Sequence, residues 1–382
     1  MDAADPADLA GQALFVRAVA DLGRGAWQPD IAKLDAALAA ASSAPVKAQL
    51  ANLLAHHHFT RNALHPALLA CRTWIEHAPG ETAAKDSLIS IYLRLGQYAD
   101  AITAAEARLA AEPANFKLRS ALSNACSRQG DLTTAKRHGT ACLELADRMT
   151  TGIEPWPLPA PPPPFDPGAT ARNVIAFSLF GSADKYLNGA IRNALAARFL
   201  YPEWTCRFYI DASVSQRCRD RLTAEGAQVQ LVTGLPAARY GTFWRFLAAD
   251  DPAVDRYLLR DCDACLNLRE RAAVEDWIAS GQPFHLMRDG FTHTDLVLAG
   301  MWGGVRGALP PMLPAVTDFC ATAPFSRTAD QAFLRERVWP HLRGRVLAHD
   351  ACFAALGAVP FPPRADIPGP RVGQAVTAPK IA

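Results

Sequence analysis

No stretch of this chain is apolar enough, for long enough, to match the roughly 20 consecutive apolar residues of a membrane-spanning helix. Neither sign of charge dominates. The formal net charge is +2 and no local run of Lys and Arg stands out, so the broad basic field of a nucleic-acid binder is missing. The start, Met1-Asp2-Ala3-Ala4-Asp5, is acidic and lacks the basic and apolar regions of a secretory signal. Nine cysteines run from Cys71 to Cys352 without paired spacing, which predicts free thiols in a reducing cytoplasm. Cys262 and Cys265 have the spacing of half a zinc site, but no second Cys or His pair follows at a suitable distance. His56, His57 and His58 fall in a predicted helix, where neighbours point about 100° apart and cannot converge on one ion. Also missing are a Gly-x-Gly-x-x-Gly after the first predicted strand and any Gly-x-x-x-x-Gly-Lys loop, which argues against a dinucleotide fold and against a kinase or ATPase.

What is present is enough apolar material for large cores. Hydrophobic residues make up 50% and charged residues 20% of 382 positions, a length that predicts two or three domains. A period of 34 residues organises the first third: Pro45, Pro79 and Pro113 recur at that interval, and Leu54, Leu88 and Leu122 keep register with them. Ala67, Ala101 and Ala135 align in the later half of each unit, as do Asn62, Gly96 and Gly130. Small residues let paired helices cross closely, and a Gly or Asn supplies the left-handed residue between them. The pattern is similar to tetratricopeptide repeats, with residues 10–44 as a degenerate leading copy. Such a solenoid would either offer a concave face to a partner or substrate protein, or brace or dimerise the molecule.

Eight prolines between Gly152 and Pro167, among them Pro161 to Pro164, cannot lie in a helix interior or a central strand, so an extended spacer is expected. The domains are therefore drawn as repeats over 1–150, a linker over 151–170, an α/β domain over 171–358 and a Pro/Gly-rich tail over 359–382 that wraps the domain or stays mobile. Asn173 to Phe180 reads as a buried strand broken by Gly181-Ser182, and a helix follows from about Tyr186 to Leu200. Strand, helix and strand then alternate over Cys206–Asp211, Gln216–Glu225 and Val229–Val232, which predicts a mostly parallel sheet. After Gly241 to Phe246, read as leading into a helix, the apolar run Tyr257-Leu258-Leu259 predicts a strand covered on both faces that delivers Asp261 and Asp263 at its carboxyl end. Open α/β sheets place ligands there. Two hard oxygen donors one residue apart suit Mg²⁺ or Mn²⁺, whose other positions go to phosphate oxygens.

In order along the chain stand Tyr201 to Asp211, Phe243-Trp244-Arg245-Phe246, Arg260-Asp261-Cys262-Asp263, Phe284 to Asp289, and Gly300-Met301-Trp302-Gly303. Over roughly residues 172–355 these blocks resemble bacterial glycosyltransferases of the GT-A fold, of the kind found in polysaccharide-biosynthesis clusters. The resemblance implies an α/β GT-A domain, a Rossmann-like mixed sheet, behind the all-α tetratricopeptide-like solenoid. It implies that Asp261 and Asp263 carry Mn²⁺ or Mg²⁺ on the diphosphate of a nucleotide sugar, a UDP-sugar ahead of a GDP-sugar. Phe180, Tyr186 and Asp211 are then expected around the nucleotide, with Phe177 in the core. Arg245 is expected either as a second cation for the leaving diphosphate or as the ion-pair partner of Asp250 or Asp251. Asp330-Gln331 looks like the Asp-Gln segment that retaining members place beneath the sugar, and His349 falls where a histidine often completes the metal site.

Acceptor and sugar contacts are expected from His285, Arg288, Trp302 and Gly303, with Asp289 or Asp330 as the group that activates the acceptor or stabilises the oxocarbenium ion. Gly290-Phe291-Thr292-His293 departs from the Arg-Asp-His-Pro continuation of the resembling sequences, so no acceptor preference is carried over. The expected activity is metal-dependent transfer of a sugar to a hydroxyl of a glycan, a glycolipid or other lipid-linked glycan, or a protein. Cytoplasmic location and a possible homo-oligomer complete the expectation. Two alternatives stay open: a scaffold whose GT-A domain has lost turnover, and a sugar-phosphate nucleotidyltransferase, which normally has a glycine-rich basic loop where this chain has Gly181-Ser182-Ala183-Asp184-Lys185.

Overall fold

The computed structural model describes residues 5–23, 26–158, 164–323, 326, 328–363 and 369–375. The chain forms two compact units, Met1–Leu145 and Ala146–Ala382, so the division comes slightly ahead of the proline segment expected to mark it. Pro159 and Pro161 to Pro163 lie outside the described residues, and their described neighbours, 153–158 and 164–166, adopt neither helix nor strand.

The first unit is a helical solenoid. Its helices among the described residues are α1 (Pro6–Gly23), α2 (Ile31–Ala40), α3 (Ala44–Thr60), α4 (Leu64–His77), α5 (Thr82–Leu95), α6 (Tyr98–Ala111), α7 (Phe116–Arg128) and α8 (Leu132–Arg148). The turns α3–α4, α5–α6 and α7–α8 pass through Asn62, Gly96 and Gly130 at φ of 63°, 74° and 89°. These are the left-handed positions that the period of Asn and Gly requires. Ala67, Ala101 and Ala135 are fully buried where helices cross, and Leu54 and Leu122 fill the layer between them. Successive hairpins are tied at the surface as well. The Arg94 guanidinium stacks over the Phe59 ring at 4.4 Å and donates to Asn62 Oδ1 at 2.6 Å.

The second unit is a seven-stranded mixed sheet with helices on its connections. Its strands are β1 (Asn173–Leu179), β2 (Thr205–Ile210), β3 (Gln228–Leu231), β4 (Arg256–Arg260), β5 (Phe284–Arg288), β6 (Met301–Val305) and β7 (Val346–Asp350), in the order β3-β2-β1-β4-β6-β5-β7. Only β6 runs against its neighbours, pairing antiparallel with β4 and β5. The connections carry α9 (Asp184–Leu200), α10 (Gln216–Ala224), α11 (Ala237–Tyr240), α12 (Leu268–Ser280), α13 (Met312–Thr322) and α14 (Ala329–Phe333). Gly241–Ala249, expected to lead into a helix, is a 3₁₀ turn instead, and it buries Phe243, Trp244 and Phe246.

Every residue of β1, β4, β5 and β6 except Ser178 is buried, as expected for strands covered on both faces. The described part of the C-terminal segment wraps the domain. Val372 packs with Ala272, Ala273, Met287, Met301 and Phe361, and Ala375 bridges to Ala264. All nine cysteines are free thiols. No helix among the described residues is long and apolar enough to cross a membrane.

Candidate functional site

The chain order around β1 defines a switch point. From β1 the connections step outward to β2 and β3, then return to β4 on the opposite side of β1. In open α/β sheets the crevice at the carboxyl ends of the two strands flanking such a reversal receives the ligand. Asp261 and Asp263 follow β4 directly, and Phe180 to Asp184 follow β1.

The loop carrying the two aspartates is held from below by α9. Asn193 donates through Nδ2 to the carbonyls of Cys262 (3.3 Å) and Ala264 (2.7 Å), and its Oδ1 accepts from the Leu266 amide at 3.0 Å. Gly189, one helical turn away, lies so close to the Cys262 carbonyl that a Cβ there would collide with it. A fully buried amide and a glycine on one face of α9 thus set the path of residues 262–266. Gly300, just before β6, leaves room for the Asp261 carboxylate in the same way.

Charge in the site is closely paired. Arg245 donates through Nη1 to Asp261 Oδ1 at 2.6 Å and through Nη2 to Asp330 Oδ2 at 3.1 Å. Its own amide donates to Ser178 Oγ at 2.9 Å, which fixes the 3₁₀ turn against β1. The Arg245 side chain is 4% exposed and Asp330's 9%, whereas that of Asp261 is 46% exposed. Arg245 therefore lies beneath Asp261 and orients it; the partners weighed from sequence, Asp250 and Asp251, bond elsewhere, to the Met312 amide and to Arg207. Burial pushes the Asp330 carboxyl up to about 6, against the pull of Arg245 and with the repulsion of Asp261. Lys185 meets Asp263 at 3.2 Å and lies 4.2 Å from the centre of the Tyr186 ring. This ammonium is largely exposed.

Around the rim, Asp211 accepts from the amide and hydroxyl of Ser213, whose Oγ accepts from the Gly181 amide at 2.7 Å. That bond joins the loops after β1 and β2. Phe180 packs on Gly241 and meets Trp244 edge-on at 5.6 Å, and Tyr186 is partly exposed. Gln331, with its amide turned so that its nitrogen donates to Val297 O (2.9 Å) and its oxygen accepts from Ala299 N (3.2 Å), pins the segment leading into Gly300. The structure therefore gathers Asp261, Asp263, Arg245, Asp330 and Gln331 through direct contacts or one intervening segment, with Asp211, Phe180 and Tyr186 at the strand ends beside them.

Several expected site residues are engaged elsewhere. His349 was expected as a third metal ligand, but both its ring nitrogens are taken, Nδ1 at 3.0 Å from His285 Nε2 and Nε2 at 3.0 Å from Asp276 Oδ2. Among the described residues no three His, Cys, Asp or Glu side chains are grouped to hold a metal. His285 is fully buried and stacks on Trp277 at 5.7 Å, so it does not face a sugar. Trp302 is fully buried between Phe246 and Tyr257, and Gly303 backs onto the Tyr257 carbonyl. Both sit on β6, an internal strand, which removes them from any acceptor surface. Arg288 donates to the carbonyls of Asp295 (3.1 Å) and Leu296 (2.6 Å). Asp289 accepts from Arg269 through both oxygens, at 3.0 and 3.1 Å, and from the Val372 amide at 2.9 Å. A carboxylate saturated in this way holds the C-terminal segment in place. Sequence reasoning missed Lys185, Gly189, Asn193 and Gly300; the one available signal was a buried-type helix face, Gly189-Ala190 and Asn193-Ala194, interrupted by an amide.

The buried histidine pair makes stability depend on pH. Burial, then the neighbouring His349 and Arg260, hold the His285 imidazole well below its ordinary range, and burial also lowers His349 against the pull of Asp276. The unfolded chain therefore takes up protons first, near pH 6.5, so this stability is fully present above that value and lost as the pH falls. Asp330, whose pKa is raised, has the opposite sign between about 4 and about 6. Melting temperature is expected to drop between pH 7 and pH 5 in the wild type, and to drop less in His285→Phe. An unchanged slope in the variant would show that the pair does not titrate on unfolding.

No protein-family model and no curated protein matches the chain. Among solved structures it is similar to a mutant of the Thermobaculum terrenum O-GlcNAc transferase, at 17% identity over 58% of this chain and 47% of that one, with a TM-score of 0.33. It is also similar to MamA from Desulfovibrio magneticus RS-1, at 18% identity over 37% of this chain and 77% of that one, with a TM-score of 0.30. The chain thus spans about half the length of the transferase, and likenesses this remote bear on neither fold nor activity.

Proposed function

We propose that the second unit is a GT-A glycosyltransferase that moves a sugar from a nucleotide diphosphate to a hydroxyl, and that the end of β4 is its donor site. The observation that carries this is the placement of Asp261 and Asp263 at the switch point, on a loop clamped by Asn193 and Gly189 and oriented from beneath by Arg245. The donor set fits a hard divalent cation in part. Asp261 keeps Oδ2 free of Arg245, and among the described residues Asp263 pairs with an exposed lysine that a cation can displace. Two carboxylates with several positions left to phosphate oxygens and water is the way Mg²⁺ is commonly held by enzymes of phosphate esters. Bound there, Mn²⁺ or Mg²⁺ would offset charge developing on the leaving diphosphate.

The remaining work falls to this chain's own side chains. Lys185, released from Asp263, would offer an exposed ammonium to the same phosphates. Arg245 keeps Asp261 in one rotamer and is a positioning residue. Phe180 and Tyr186 offer aromatic surface to the base and ribose at the end of β1. In the repeat unit, a groove of about 320 Å³ lined by Asn52, His56, Asp86 and Ser90 is the face we assign to a protein acceptor or partner.

The test is product analysis with Mn²⁺ and a panel of nucleotide sugars. Release of UDP or GDP from one donor, reduced at least a hundredfold in Asp261→Asn, is the expected result. Pyrophosphate formed from a nucleoside triphosphate and a sugar phosphate would identify a nucleotidyltransferase instead.

A further inference from the structure

A second element besides α9 reaches the loop that carries Asp261 and Asp263. Residues 369–375 pass the carboxyl end of β5, the start of β6 and the loop after β4, in that order. Within them, residues 371–374 form a tight turn. The Gln374 amide donates to the Arg371 carbonyl at 3.1 Å, the Gln374 side chain accepts from the Arg371 amide at 3.1 Å, and Gly373 takes the left-handed φ of 74° that the third position of such a turn needs. The turn places Val372, 1% exposed, in a socket of Ala272, Ala273, Met287, Met301 and Phe361. Asp289 holds it there by accepting from the Val372 amide at 2.9 Å, and Arg269, which grips Asp289 through both oxygens, lies 4.2 Å from the centre of the Phe361 ring. From this turn, contacts run toward both aspartates. Gly373 lies so close to the Met301 side chain that a Cβ there would strike its sulfur, and Met301 follows Gly300, the glycine against which the Asp261 carboxylate rests. Two residues beyond Gly373, Ala375 forms an antiparallel bridge with Ala264, the neighbour of Asp263. Asn267, which caps α12, donates to the Pro370 carbonyl at 3.4 Å and ties the same loop to the start of the segment. Each carboxylate is thus one residue removed from a group that the segment touches, Asp261 across Gly300 and Asp263 along the chain.

Resting on the donor site proposed above, we propose that the seated turn is a condition of that site. With Val372 in its socket, the loop after β4 holds Asp261 and Asp263 in register for a divalent cation; with Val372 out of it, the cation binds weakly. Val372 is a positioning residue in this scheme, acting through Met301 and Ala264. Asp289, expected from sequence to handle the acceptor, is its latch. Regulation follows from linkage, because a seating step that strengthens cation binding by some factor is itself strengthened by the cation by the same factor. Whatever draws residues 369–375 off the domain therefore weakens donor binding, and bound donor holds them on.

The experiment uses the full-length protein with UDP and Mn²⁺ as probes. Val372→Asp places a carboxylate in the apolar socket beside Asp289, and Gly373→Ala puts a side chain against Met301 at a left-handed position, so each unseats the turn. Mn²⁺ affinity in the presence of UDP is expected to fall about 10- to 100-fold in Val372→Asp, the range for groups that orient metal-binding carboxylates, and by less in Gly373→Ala. Hydrogen exchange of the wild type tests the same coupling with no substitution. The Val372 and Gln374 amides are expected to exchange more slowly by a matching factor of about 10 to 100 once Mn²⁺ and UDP are saturating, whereas a turn that merely packs on the domain exchanges at one rate throughout. Wild-type Mn²⁺ affinity in a folded Val372→Asp protein, or exchange at Val372 and Gln374 that Mn²⁺ and UDP leave unchanged, would overturn the coupling and leave the donor site standing. No binding of Mn²⁺ with UDP to the wild type would overturn the donor site and the coupling with it.

Discussion

Replacing Glu270 with leucine is expected to destabilise the second unit by about 3–5 kcal/mol, the cost of leaving a buried guanidinium without its carboxylate. The side chains of Arg260 and Glu270 are each 3% exposed and meet at 2.7 Å. Arg260 also donates to the carbonyls of Leu259 and Trp302, both at 2.8 Å, and Glu270 accepts from the Tyr201 hydroxyl at 3.2 Å. The pair therefore welds the end of β4 to the first turn of α12 and to β6. Chemical denaturation of Glu270→Leu should show a lower midpoint with an unchanged slope. The double variant Arg260→Met/Glu270→Leu should be less damaged than Glu270→Leu alone, because removing both charges removes the desolvation penalty as well as the attraction. A double variant that loses the sum of the two single losses would show that the two groups do not act as a pair. Since Arg260 immediately precedes Asp261, the structural pair and the candidate site share one strand end.

The second large effect concerns Arg245→Met. Orienting partners of metal-binding carboxylates commonly contribute 10- to 100-fold to metal affinity, so Mn²⁺ binding in the presence of UDP should weaken by about that factor. Stability should fall too, and its pH dependence identifies the cause. Arg245 is a cation shared by Asp261 and Asp330, and without it Asp330 is a buried carboxylate with no counter-ion among the described residues. Its pKa, already about 6, would rise further, so the variant is expected to lose most stability at pH 8 and least at pH 5, where Asp330 is neutral. The sign is fixed. A folded pKa above the unfolded value means the folded form gains protons, and relative stability, as the pH falls. A deficit in Arg245→Met that is the same at both pH values would mean that Asp330 is not the group left exposed.

What was legible in the sequence follows from local physics. Asn62, Gly96 and Gly130 were readable because a left-handed turn residue must be small or an amide, and the period placed each at a helix junction. The strand ending at Asp261 was readable because Tyr257, Leu258 and Leu259 carry no polar alternation, and all three are fully buried. Register and direction were not readable. Met301 to Val305 is equally apolar whichever way it runs, so nothing local shows that β6 lies antiparallel between β4 and β5 and hides Trp302. His349 misled for a related reason. Its pairing opposite Met287 in β7 turns the ring toward His285 and Asp276, and that register depends on the whole sheet. Arg245 and Asp330, 85 residues apart, were separately conspicuous, but only the folded 3₁₀ turn brings them together. The clamp from Asn193 was invisible, since an amide in a helix most often faces solvent.

The central claim is that the end of β4 binds a nucleotide diphosphate through a divalent cation. It is tested most directly by the melting temperature of wild type and Asp263→Ala with UDP, GDP, CMP and dTDP sugars, each with and without Mn²⁺. A ligand that binds only the folded form raises that temperature, by about 2.7 kcal/mol of stability at a hundredfold excess over Kd. The expected result is a rise with one nucleotide sugar that requires Mn²⁺ and disappears in Asp263→Ala. A rise of equal size in the variant, or none with any donor in the wild type, would contradict the site.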